Sequence, residues 1–317
     1  MKALWLEDKT LSVRDVARPT PAAGEALVRV RLAGVCATDL ELVKGYYPYT
    51  GIPGHEFVGE IVEAPDAPGR AGERVVGEIN AVCGQCGTCR RGHPRHCERR
   101  TVLGIVNRNG VFAEYLTLPV ANLLRVPEHV PDEAAVFTEP LAAALEIQDQ
   151  MTIDPAARVL VIGAGRLGQL IARSLVSTGA RIEAVALHPR QKALLTAAGV
   201  GLVDEADVPS RCVDVVVEAT GSASGFALAQ KAVRPRGTIV LKSTYAGRLE
   251  IDAAPIVVDE ITIIGSRCGD FVPAVRMLDE RRIDPRDLID GERSLTDALR
   301  ALDAAAAPGA LKILVRP

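Results

Sequence analysis

From Ala26 to Leu32 the chain alternates apolar and polar positions, the two-residue period of a strand with one buried face. Phe57 to Val62 reads as another strand, and Leu11 to Val62 as a whole is strand-rich and broken by Pro and Gly. Ala33, Gly34 and Val35 read as a turn that delivers Cys36, Ala37, Thr38 and Asp39. The pattern then changes. Val159 to Ile162 is an unbroken apolar run, the pattern of a buried strand, and Gly163, Ala164, Gly165, Arg166, Leu167 and Gly168 follow it. The next residues, from Gln169, predict a helix with apolar positions at 170, 171 and 175. Arg181 to Ala186 predicts a strand, Arg190 to Ala198 a helix, and Val213 to Gly221 a strand ending in a turn at Thr220. Gly237 to Lys242 and Ile261 to Gly265 predict two more strands. Such alternation of strand and helix predicts a doubly wound parallel sheet, and hence an α/β fold. Phe271 to Leu278 and Ser294 to Ala307 read as helices, and Leu311 to Val315 as a last strand.

The glycines carry chemistry. Gly163, Gly165 and Gly168 stand at the G-x-G-x-x-G spacing between a strand and a helix. The first permits a tight turn, the second lets a pyrophosphate approach the backbone, and the third allows close packing of helix on strand. The helix that starts at Arg166 and Leu167 then offers free N–H groups to the phosphates.

Composition narrows the field. A length of 317 residues favours two domains, and with aromatics at 3% the cores must be built from Ala, Val, Leu and Ile. A net charge of -3 offers no basic footprint, so neither nucleic acid nor an anionic membrane is expected as a partner. No apolar run approaches the length of a membrane span, and Met1 leads into a strand pattern rather than a signal peptide.

Cys83, Cys86, Cys89 and Cys97 carry the spacing C-x2-C-x2-C-x7-C on a glycine-containing loop. Four thiolates so placed can close a tetrahedron around one zinc ion and leave no open position, a structural site. His93 and His96 lie inside this lobe as bystanders, because four sulfurs already satisfy the metal. Cysteine used for metal rather than disulfides places the chain in a reducing compartment, the cytoplasm. Cys36 and His55 with its neighbour Glu56 are further zinc-binding residue types, while Cys212 and Cys268 read as isolated buried small residues.

Taken together, Gly34-Val-Cys36-Ala-Thr38-Asp39, Gly54-His55-Glu56, Gly72-Glu-Arg-Val75, the cysteine lobe, Val111 to Tyr115, Glu139-Pro140-Leu141 and the glycine turn resemble the zinc-containing medium-chain dehydrogenase/reductase family of alcohol and polyol dehydrogenases. The resemblance runs along nearly the whole chain. It implies a GroES-like, β-rich catalytic domain over residues 1–140 and 268–317, and a Rossmann cofactor domain over 141–267. It also implies two zinc ions per chain, one structural and one catalytic. Cys36 and His55 match two catalytic zinc ligands, the third falls at Glu139, and Glu56 matches a neighbour able to enter the metal's shell. Glu139, preceding Pro140, can alternatively cap the helix that follows. Thr38 matches the hydroxyl that accepts the alcohol proton. The relay's end, a histidine in many relatives, is Glu41 here, so a carboxylate or water takes that place. Ala37 stands where a basic contact to pyrophosphate is common. Tyr46, Tyr47 and Tyr49 either line the substrate cleft or pack together in a surface loop.

The cofactor is expected to be NADP rather than NAD. NAD sites place an acid about 20 residues past the glycines to hold the ribose 2′-hydroxyl. Ala186 stands at that place, with His188 and Arg190 close by as cationic donors for a 2′-phosphate. The resemblance thus implies hydride transfer between NADP and a small-molecule alcohol or carbonyl. Glu139, with Glu56 and Asn80, favours a polar pocket and a secondary alcohol, polyol or sugar. A zinc-independent enone or quinone reductase would lack Cys36, His55 and Glu139, and a non-catalytic sensor would have lost a ligand or Thr38. Relatives form homodimers or homotetramers through the cofactor domain.

Overall fold

The alternating segment lies in strand Glu25–Gly34, where Val28, Val30 and Leu32 are buried and Arg29 and Arg31 are exposed. That strand is central in a seven-stranded sheet. The order runs Ile289–Ser294, Lys312–Arg316, Glu25–Gly34, Glu56–Glu63, Arg74–Gly77 and Leu123–Arg125, with Tyr115–Pro119 also paired to Glu25–Gly34. The computed structural model describes residues 1–244 and 249–317. It divides into two units, Met1–Glu139 with Phe271–Pro317, and Pro140–Asp270.

The second unit holds a six-stranded parallel sheet in the order Gly201–Leu202, Arg181–Val185, Arg158–Ile162, Val213–Glu218, Val233–Leu241, Thr262–Gly265. The apolar runs pack into one core that includes Leu160, Ile162, Val216 and Ile239. The strand order reverses between Arg158–Ile162 and Val213–Glu218. A crevice opens at the C-terminal ends of strands at such a switch point, and the glycine turn leaves Ile162 there. Helix Arg166–Val176 buries Leu170, Ile171 and Leu175 as its period requires. Among the described residues no helix is long and apolar enough to cross a membrane.

Three local expectations are corrected. Gly34 belongs to a strand rather than a turn; it pairs with Glu56 and Leu314, and a Cβ there would overlap Glu56 Oε2. Glycine serves close approach at this position, not reversal of the chain. The helix expected from Ser294 begins at Ala298, after a 3-10 turn over Leu295–Asp297. Cys212 is exposed rather than buried, with its sulfur 3.4 Å from Arg158 Nη1, and Cys268 is half-buried.

Candidate metal centres and cofactor turn

Cys36 caps helix Ala37–Lys44, and its backbone N–H donates to Asp39 Oδ2 at 2.8 Å. His55 follows Gly54, whose φ of 95° is open to glycine and strained for other residues. Glu56 opens the strand Glu56–Glu63, antiparallel to the strand that ends just before Cys36. Two adjacent strand ends thus bring distant residues together, and the ligand atoms of Cys36, His55 and Glu56 all lie within 4.8 Å of one another.

Charge organises this group. His55 Nδ1 lies 3.2 Å from Asp39 Oδ1. Burial opposes the imidazolium, but the charges of Asp39 and Cys36 outweigh it and hold His55 well above the usual imidazole range. Glu56 is fully buried and paired with the Lys312 ammonium. Lys312 lies 3.4 Å from the Val35 carbonyl and 5.4 Å from the centre of the Phe137 ring, a cation–π contact. Glu56 Oε1 is buried and has no hydrogen-bond partner among the described residues. A buried carboxylate oxygen without a donor, beside a sulfur and an imidazole, fits a zinc ion.

Glu139 lies outside that 4.8 Å group. It is the second residue of helix Thr138–Gln150, close enough for its carboxyl to sense His55, Glu56 and Glu78. Burial, opposed by His55 and reinforced by Glu56 and Glu78, raises it to about 7. Thr38 sits in the first turn of the Cys36 helix, its Oγ1 3.8 Å from Cys36 Sγ. Glu41, in the same helix, is paired with Lys44 at 2.7 Å. Of the tyrosines, Tyr46 and Tyr47 are exposed, whereas the Tyr49 hydroxyl lies 2.6 Å from Ile52 O and 3.0 Å from Arg108 O, steadying the loop that leads to His55. Asn80 is buried and donates to Glu78 Oε1 at 2.7 Å.

In the lobe, the Sγ atoms of Cys83, Cys86, Cys89 and Cys97 lie within 4.8 Å of one another, with approaches of 3.4, 3.5 and 3.8 Å. A tetrahedron with Zn–S of about 2.3 Å has edges of about 3.8 Å, so the four sulfurs fit one ion. Backbone N–H groups of Cys83 and Arg99 each donate to Cys97 Sγ at 3.4 Å. Hydrogen bonds led by that from the Gln85 backbone lower the Cys83 thiol to about 6, favouring the thiolate a metal needs.

The cofactor turn has the geometry its glycines imply. Gly163 has φ 100°, and a Cβ on Gly168 would overlap the Gly163 carbonyl. A Cβ on Gly165, by contrast, would meet nothing within 4 Å. Protein packing does not demand glycine there; a ligand pressed on the backbone would. Arg166 and Leu167 open helix Arg166–Val176. Ala186 is buried just past strand Arg181–Val185, Leu187 is 75% exposed, and His188 caps helix Pro189–Ala197 with Arg190 exposed in its first turn. Thr220, expected as a cofactor contact because its turn faces the cofactor in this fold, is engaged within that turn. Its hydroxyl bonds to Glu218 Oε1 and lies 2.7 Å from Ser222 Oγ, and its N–H donates to Glu218 Oε1 at 2.7 Å.

Four residues of these sites were not singled out from the sequence: Asp39, Lys312, Glu218 and Gln169. Asp39 had a signal, three residues after Cys36 at the start of a helix. Lys312 had none, standing 256 positions from Glu56.

The same picture emerges from known proteins. Residues 22–128 match the family model of the alcohol dehydrogenase GroES-like domain, and 167–281 that of the zinc-binding dehydrogenase. The chain is 31% identical over 342 residues to D-arabinitol dehydrogenase 1 of Uromyces fabae, covering 100% of this chain and 97% of that protein. Among solved structures, a zinc-binding dehydrogenase of Sinorhizobium meliloti bound to NADP has a TM-score of 0.91 at 29% identity, covering 100% of this chain and 99% of that one. An alcohol dehydrogenase of E. coli complexed with NADH also has a TM-score of 0.91, at 27% identity and the same coverage. With both domain models matched in order and a polyol dehydrogenase aligned end to end, the chain belongs to the zinc-type medium-chain dehydrogenase/reductase family of oxidoreductases.

Proposed function

We propose that the chain interconverts a secondary alcohol of the polyol or sugar class and its ketone, with NADP preferred to NAD and two zinc ions per chain. The observation that carries this reading is the Cys36–His55–Glu56 group with its partnerless buried oxygen. Bound there, zinc supplies Lewis acidity that lowers the pKa of the substrate hydroxyl, and the nicotinamide supplies the hydride acceptor.

The chain's own residues do the rest. Asp39, facing His55 Nδ1, orients the imidazole so that Nε2 is left for the metal. Lys312 restrains Glu56, and Thr38 takes the alcohol proton and passes it to the Glu41 carboxylate or to water. Glu56, Glu139 and Glu78 make the surroundings rich in hydrogen-bond acceptors, which suits a substrate with several hydroxyls. The name of the D-arabinitol relative supports that class. Solved relatives hold NADP in one case and NADH in another, so the cofactor preference rests on Ala186 and on the donors His188 and Arg190. The reading includes residence in the reducing cytoplasm, suited to seven thiols. It also includes assembly as a homodimer or homotetramer.

An assay of alcohols, polyols and ketones with both cofactors tests the proposal. Polyol or sugar turnover with lower KM for NADP is expected. Activity confined to apolar primary alcohols would overturn the substrate class, and tighter use of NAD would overturn the cofactor.

A further inference from the structure

Gln169 follows the last glycine of the turn and lies in the first turn of helix Arg166–Val176. Its side chain is fully buried, in a helix whose neighbouring buried positions are Leu170 and Ile171. Its Nε2 donates to the Ala164 carbonyl at 3.3 Å and to the Gln191 carbonyl at 3.1 Å. Its Oε1 has no hydrogen-bond partner among the described residues. An amide buried with an idle acceptor costs free energy that a leucine would not, so stability alone does not account for glutamine at this position. What it adds is a pair of donors.

Those donors reach the two halves of one ligand's site. Ala164 lies between the two glycines of the turn. Its peptide link to Gly165 is trans, so a carbonyl drawn toward Gln169 points the Gly165 N–H the opposite way. Beside that N–H is the open space where a Cβ on Gly165 would meet nothing, the approach a pyrophosphate needs. Gln191 is adjacent to Arg190 and three residues past His188, in the helix that follows the ribose-side loop. The only backbone bond the turn makes to the end of strand Arg181–Val185 among those described, Gly163 N to Val185 O, is long at 3.4 Å.

We propose that Gln169 is a positioning residue that holds the phosphate-binding turn and the ribose-side helix in one register, and thereby sets affinity for the ADP-ribose half of the dinucleotide. The inference rests on the reading of this turn as the cofactor site. Pyrophosphate and 2′-oxygen are joined through a single ribose, so a slip between the elements that contact them weakens both ends together.

The test compares the full-length, zinc-loaded chain with Gln169→Met, which keeps length and loses both donors. Ser174→Ala is the control, since Ser174 is equally buried in the same helix and its hydroxyl donates within that helix, to Ile171 O at 2.9 Å. Dissociation constants for ADP-ribose and 2′-phospho-ADP-ribose are measured, together with cofactor KM, alcohol KM, kcat and melting temperature. Loss of two neutral hydrogen bonds predicts a rise of about 5- to 150-fold in both dissociation constants and in cofactor KM for Gln169→Met. Its kcat at saturating cofactor and its alcohol KM should stay within about twofold, and Ser174→Ala should leave all cofactor constants unchanged. Native-like ligand binding by Gln169→Met overturns the inference alone. So does a fall in every kinetic constant that tracks melting temperature equally in both variants. Failure of the unsubstituted chain to bind either ligand overturns the dinucleotide reading as well.

Discussion

A buried charge in this protein is tolerable only where a partner stands beside it, and Lys312 shows this most plainly. Lys312 and Glu56 are 1% and 0% exposed, so in the zinc-free chain removing either leaves an uncompensated charge in a low-dielectric interior. Lys312→Met is expected to cost about 3–5 kcal/mol in urea unfolding, with Lys312→Arg retaining most of the stability. A loss below about 1 kcal/mol, the scale of an exposed pair, would show that the contact does not hold the site. Thr38 is a residue of function rather than stability. Thr38→Val should lower kcat by about 100-fold or more while zinc content and cofactor binding stay as they were. Undiminished turnover would remove its hydroxyl from the proton path. The types and spacing of Cys36, His55 and the lobe cysteines identify them because zinc chemistry admits few donors. The nearness of Glu56 relative to Glu139 was not legible, because both are carboxylates in plausible positions. The 4.8 Å grouping with Cys36 and His55, and the Lys312 pair, distinguish Glu56.

At the scale of elements, the parallel strands are readable because strands buried on both faces are written as continuous apolar runs. An exception inside one of them is informative. Glu183 lies in strand Arg181–Val185, 7% exposed, bonded to Arg158 Nε at 2.6 Å and Arg181 Nη2 at 3.0 Å. Burial pushes its carboxyl up, but the two guanidinium groups outweigh this and hold it below the ordinary carboxylate range. The folded state therefore favours the charged form. The stability gained is present above the unfolded value of about 4.3 and is lost as pH falls through the lower folded value. Glu183→Gln should cost about 1–3 kcal/mol at pH 7 and progressively less on acidification. An equal loss in acid and at neutrality would assign the effect to packing instead. Element ends were harder to read. Gly34 looks like a turn in sequence because its real constraint, the Glu56 carboxylate pressed against it, comes from another strand.

For the whole molecule, two features call for measurement. Among the described residues the strand Thr262–Gly265 closes one edge of the parallel sheet and is paired on one side only, and the nearby sequence exposes Val257 and Val258 by 75% and 79%. An exposed edge with apolar neighbours invites pairing with a second copy about a twofold axis. Light scattering should show a dimer or tetramer, and Val258→Lys with Ile263→Lys should release smaller species; a monomeric parent at micromolar concentration would sink this. Metal analysis should find two zinc ions per chain. A mild chelator should remove one together with activity, since a catalytic site keeps an open position and the four-sulfur site does not. A single ion that resists chelation would remove the catalytic half of the reading. The sequence by itself determined the glycine turn, the cysteine lobe and the alternation of the parallel sheet. Each of these is local, with its chemistry carried by residues a few positions apart. Only the tertiary structure decided which carboxylate stands with Cys36 and His55, what holds it there, and that one buried glutamine spans the cofactor turn and the next helix. Those contacts join residues from about 20 to more than 250 positions apart, and no periodicity or spacing along a chain encodes a meeting that depends on how the sheets bring strand ends together.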